Sequence, residues 1–110
     1  MKKTVLSIQH SCNAIGSLKS GDLEASDKYK IIKAVRALKP ISEEFDKFID
    51  QARETAKNNA EFNKIVNEEA MNEVDVPEYV RVSDETFDKI MKANPDLTFS
   101  QLMYLEDFLK

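Results

Sequence analysis

His10 and Cys12 are the only histidine and the only cysteine in the chain, so nucleophilic chemistry would have to begin with them. A serine or cysteine nucleophile needs a base within hydrogen-bond reach, and His10 is the only imidazole on offer. Residues two apart on a helix point to different faces, so His10 and Cys12 do not make a dyad within one helix. Cys12 falls on an apolar stripe and reads as a small core residue, and His10 as a solvated one. One histidine cannot supply the two Glu-x-x-His motifs of a di-iron bundle, and no Glu is followed by His three positions later. The spacings of zinc sites and calcium loops are absent, and neither Gly16 nor Gly21 belongs to a phosphate-binding loop. The sequence therefore implies no catalytic residue, no metal and no cofactor, and the expectation is a protein that is not an enzyme.

Two charged groupings remain. Glu43, Glu44, Asp46, Asp50 and Glu54 form the densest carboxylate run, with Asp46/Asp50 and Asp50/Glu54 four apart. Paired carboxylates can hold a metal or trade a proton, but a charge run at helical spacing is ordinarily a solvated face. Lys30, Lys33 and Arg36 step by three, with Lys28 and Lys39 close by. These five residues are the candidate interaction stripe. A basic row can track phosphates, so a nucleic-acid-associated factor is the alternative function. Tyr29 is the only aromatic among them, which gives base stacking little to work with.

The elements that must position these residues are helical. With 110 residues the chain makes one domain, and two glycines and three prolines are too few for the turns of a β-sandwich. Val5, Ile8, Cys12 and Ile15 mark a first helix over 4–19, closed by a turn in which Gly21 can take a left-handed conformation. A second stripe runs Ile31, Val35, Leu38, Phe45, Ile49, Ala52. Leu38 to Phe45 is two full turns, so the phase survives Pro40. That predicts one long kinked helix over 24–57. The rival reading breaks at Lys39 and restarts with Ser42 as N-cap.

Asn58 or Asn59 can cap in the left-handed region before a third helix over 60–73. Val74, Val76, Val80 and Val82 suggest an extended connector, with room for one short hairpin. Ser83 caps a fourth helix that Asn94-Pro95 stops. Thr98 with Gln101 makes a capping box for a fifth, whose buried face is Leu102, Leu105, Phe108 and Leu109. The expected fold is all-α: a long antiparallel hairpin of helices over 1–57, with three shorter helices and the connector over 58–110. The first helix should lie on the first half of the second, with Ala14, Gly16, Ala34 and Ala37 allowing close approach.

Residues 12–54, "CNAIGSLKSGDLEASDKYKIIKAVRALKPISEEFDKFIDQARE", resemble the N-terminal region of small helical proteins encoded by tailed bacteriophages and prophages. Asn13, Ala14, Leu18, Tyr29, Lys30, Ala37, Leu38, Pro40, Phe45, Ala52 and Arg53 carry the resemblance, and the ending "TFSQLMYLEDFLK" matches the closing Leu-x-x-Leu helix of that family. The resemblance implies a continuous long helix and a phage or prophage origin, and it brings no catalytic residue.

Charge asymmetry between the halves can mark an interaction surface, but the first expectation is that the halves fold against each other and their fields partly cancel. Residues 1–40 hold eight Lys/Arg and three acids, whereas residues 41–110 hold eight and seventeen, within a net charge of −4. Opposed halves and a long amphipathic helix suit self-association as a homodimer or the binding of another protein. No apolar run approaches the roughly 20 residues of a membrane span, and a lone cysteine fits a reducing compartment, so a cytoplasmic location is expected.

Overall fold

Thr4 separates two kinds of backbone. In the computed structural model, which describes all 110 residues, Lys2–Thr4 is a short strand, β1, and Val5–Gly16 is a helix, α1. The Thr4 hydroxyl accepts from the Ser7 amide at 3.2 Å and so caps α1. The first helix is thus shorter than the 4–19 expected. β1 is missing from the sequence expectation because three residues are too few to show a two-residue alternation.

The second helix, α2, runs Ala25–Thr55 without a break. Its 31 residues would span about 46 Å at 1.5 Å per residue, most of the molecule's 50 Å long axis. Pro40 sits inside it on the exposed side. A proline has no amide to offer the Arg36 carbonyl. Arg36 is exposed too, so water can serve that carbonyl. The buried residues Ala34, Leu38, Phe45 and Ala52 continue across the proline in one phase. Ser42 is a buried residue of the helix interior, which removes the rival N-cap reading.

α1 packs antiparallel to α2, but it spans the proline instead of keeping to the first half. Val5 shares a cluster with Phe45, the Gln9 amide donates to Asp46 at 3.0 Å, and Ile15 lies with Ile31 beside the interhelix turn. Ala14 and Ala34 are buried, as close approach requires. Gly16 is exposed and a Cβ there would meet nothing within 4 Å, so it plays no part in that approach.

The third helix, α3, covers Asn59–Ala70 and folds back on the second half of α2. Asn58 caps it from extended backbone (φ −158°), its side chain accepting from the Glu61 amide at 2.8 Å. The left-handed Asn expected there does not occur, since no residue other than glycine has a positive φ.

No local hairpin forms in the connector. Instead Glu73–Asp75, β2, pairs antiparallel with β1 in the register Lys2↔Asp75, Lys3↔Val74, Thr4↔Glu73. The ladder is extended by the Val5 amide to the Asn72 carbonyl (2.9 Å) and the Val76 amide to the Met1 carbonyl (2.8 Å). Farther along, the Val82 amide reaches the Leu109 carbonyl at 2.8 Å. The connector is therefore pinned at both ends, with Val76 and Val82 buried.

Two short helices finish the chain: α4, Asp84–Ala93, capped by Ser83, and α5, Phe99–Leu109, with the Thr98–Gln101 capping box in place. Asn94 between them binds the α1–α2 turn, donating to the Lys19 carbonyl (2.9 Å) and accepting from the Lys19 amide (2.8 Å). In that turn Gly21 has φ +54°, and a Cβ on it would stand 2.6 Å from the Ala93 Cβ, so both the conformation and the space require glycine.

The fold is all-α apart from this two-stranded ladder. Its main core, a cluster of 13 buried residues, unites α1, the first half of α2, the connector, α4 and α5. A smaller cluster of Val5, Phe45 and Ala70 joins α3 to the rest. The core thus links the N-terminal hairpin to the last two helices, and the second half of α2 with α3 extends beyond it. No helix is long and apolar enough to cross a membrane.

Candidate functional site

Of the candidate stripe, Lys28, Lys33, Arg36 and Lys39 are exposed and Lys30 is half-buried. Steps of three residues fall about 60° short of a full turn each, so Lys30, Lys33, Arg36 and Lys39 slant around the outer side of α2 and do not follow one line. Lys30 approaches Asp27 at 3.8 Å and Lys39 approaches Glu43 at 3.8 Å. The Lys33 ammonium lies 4.7 Å from the centroid of the Tyr29 ring. Lys28 stands apart, at the mouth of a small pocket lined by Ile15, Leu18 and Leu23.

Beyond Pro40 the sign reverses. Glu43, Glu44, Asp46, Asp50 and Glu54 are all exposed. Lys47 and Arg53 are the only basic residues among them. The outer face of α2 is thus positive along its first half and negative along its second. Helix energetics favour the opposite order, since a helix N-terminus attracts anions and its C-terminus cations. The local stability of α2 gives no reason for this distribution.

The groups with potential for covalent chemistry lie apart from one another or are muted. The His10 ring faces α5, with its centroid 5.1 Å from that of Tyr104. Cys12 is half-buried against the main core. Burial pushes its thiol pKa up; the neighbouring Ser42 hydroxyl and Lys39 oppose that shift, while Glu43 and Asp46 add to it. A thiol held in its protonated form is not an activated nucleophile. The Ser42 hydroxyl donates to the Gln9 side-chain carbonyl, completing a polar link across the α1–α2 interface. No three His, Cys, Asp or Glu side chains converge as metal ligands would.

A feature absent from the sequence reading lies between α4 and α5. An open cleft of about 680 Å³ has Phe87, Met91 and Leu102 in its lining. Phe99 and Met103 also line it and are 86% and 72% exposed. They sit four apart, so they share one side of α5, away from the buried Leu105, Phe108 and Leu109. Leu102, expected in the buried face, is only half-buried. The available signal was the width of the apolar surface. Phe99, Leu102, Met103, Leu105, Phe108 and Leu109 cover more of α5 than one core face can bury.

Comparison with family models, curated proteins and solved structures finds no match to this chain.

Proposed function

We propose that this chain is a non-enzymatic helical protein that works by binding protein, either a second copy of itself or another chain, as an accessory or assembly factor of phage or prophage type in the cytoplasm. The observation that carries the reading is the outer face of α2, exposed along its length and opposite in charge on either side of Pro40. Two such helices laid antiparallel about a two-fold axis bring each positive half against a negative one. The phage assignment is supported by the resemblance of residues 12–54 and of the closing helix.

Solution mass tests the binding reading. Light scattering and sedimentation should find a dimer at low salt that weakens at moderate salt, because pairing of exposed charges is screened over about 10 Å at 0.1 M. A strict monomer at both salts, together with a pull-down that captures no partner, would overturn it.

A second reading is a nucleic-acid-associated factor. Its support is the exposed Lys33, Arg36 and Lys39, with Lys33 beside Tyr29, which is 51% exposed. The phosphate contribution is greatest at low salt, so a gel shift absent under those conditions would eliminate it.

A further inference from the structure

The α4–α5 cleft leaves apolar side chains uncovered. Phe99 and Met103 are the two most exposed large apolar side chains of the molecule, and both line it. Met91 and Met103 bring unbranched, polarisable side chains that adapt to different apolar shapes, a property of surfaces that seat helices. The rim is charged and mostly of one sign. Asp84, Asp88 and Glu106 border the cleft against a single ammonium, that of Lys110, which is engaged with Asp84 at 3.3 Å.

The shape limits what can bind. The walls are two helices whose amides and carbonyls are spent on their own bonds and caps. There is no free strand edge to which an extended peptide could add. A third helix fits, with its side-chain ridge set into the groove between the two. α4 has ten residues, about 15 Å of wall, which matches two to three turns of a partner. A second copy seated face to face would set one carboxylate rim against another, so the charge selects a basic occupant.

We propose that the α4–α5 cleft is a docking site for an amphipathic helix of a partner protein, with apolar residues at i, i+3, i+4 and i+7 and Lys or Arg on its flanks. This rests on the reading of the chain as a protein-binding factor, but its lining comes from α4, α5 and the C-terminal Lys110 and includes no residue of the basic stripe of α2.

The probe is a synthetic Leu/Lys peptide of about 14 residues in that pattern. Two controls accompany it: one of identical composition scrambled to destroy the apolar face, and one with Glu in place of Lys. Binding is followed through the methionine methyl signals of the full chain, labelled with ¹³C. The methyls of Met91 and Met103 should shift saturably with the basic amphipathic peptide, and those of Met1 and Met71 should stay in place. Phe99→Asp and Met103→Asp, both at exposed positions, should each weaken binding at least tenfold while leaving the helical circular dichroism unchanged. Equal binding of either control, shifts centred on Met71, or undiminished binding by both variants would overturn the proposal. So would shifts of Met91 and Met103 that appear on concentrating the chain alone, since the occupant would then be a second copy. Sedimentation of Phe99→Asp separates the two readings: self-association through α2 is untouched by this substitution, so the cleft can fail while the α2 reading stands.

Discussion

At the scale of single residues, two buried groups give direct tests of the packing. Ser11 is completely buried on α1 and its hydroxyl has no hydrogen-bond partner. An unpaired buried hydroxyl costs folding free energy, and alanine is the better helix former. Ser11→Ala should therefore stabilise the chain by about 1 kcal/mol, read as a higher urea midpoint at unchanged slope; a lower midpoint would mean that the hydroxyl is satisfied in solution. Cys12 gives a pH dependence. Its folded pKa is raised, chiefly by burial, so the folded chain holds the thiol proton more tightly than the unfolded chain does. The stability this contributes is present below the unfolded thiol pKa of about 8.5 and is lost as pH rises through the folded value. Alkylation of Cys12 should accordingly be slow at neutral pH and accelerate only above the ordinary thiol range, and Cys12→Ala should flatten the stability loss in that alkaline window. Fast alkylation at neutral pH would contradict this placement. The sequence showed Cys12 on an apolar stripe. The burial that raises its pKa, and the Ser42 and Lys39 contacts from another helix that oppose the rise, depend on the α1–α2 register, which spacing along one helix does not contain.

At the scale of elements, legibility followed the reach of the signal. The caps at Ser83 and Thr98 and the glycine turn at Gly21 are written within a few residues of where they act, and they stand where the sequence places them. The unbroken α2 was legible because a seven-residue interval carries its apolar phase past Pro40. The extended chain around Val74 was legible, but β1 and the pairing were not, because the ladder joins Glu73–Asp75 to the three residues Lys2–Thr4 at the other end of the hairpin and helix α3. The left-handed cap expected at Asn58 or Asn59 falls on the wrong side of the boundary, since asparagine suits both a left-handed C-terminus and an extended N-cap. Pro40 supplies the test at this scale. Proline costs about 3 kcal/mol in a helix interior relative to alanine, offset by about 1 kcal/mol because it also restricts the unfolded chain. Pro40→Ala should therefore raise stability by about 1–2 kcal/mol in urea unfolding. A fall instead would show that α1, which crosses the proline, and α3 need a bend at Pro40 to seat on α2.

The whole molecule is extended. Its radius of gyration is 15.6 Å, against about 13 Å for a compact chain of this length, because the second half of α2 and α3 reach past the main core. An elongated chain exposes more of α2, and exposure turns a charge count into a surface. The counts of acids and bases were legible in the sequence. That both signs share the outer side of one continuous helix required the fold, since the same counts also fit opposed halves that pack against each other and cancel. The proposed antiparallel pairing makes a prediction that only the complete arrangement can meet. Lys33→Glu with Arg36→Glu removes the positive patch, and Glu43→Lys with Asp50→Lys removes negative charge beyond the proline; all four positions are exposed, so the helical circular dichroism should hold. Each double variant alone should lose the low-salt dimer, since one patch then lacks its opposite. Mixed in equal amounts, the two variants should associate with each other, because each then presents what the other lacks. The chain carrying all four substitutions should stay monomeric, because both halves of its α2 are then close to neutral and no longer oppose each other. Sedimentation of the four samples decides it. Dimers that persist in both double variants would place the interface elsewhere on the molecule, and a mixture that stays monomeric would show that the divided charge of α2 is a solvated face.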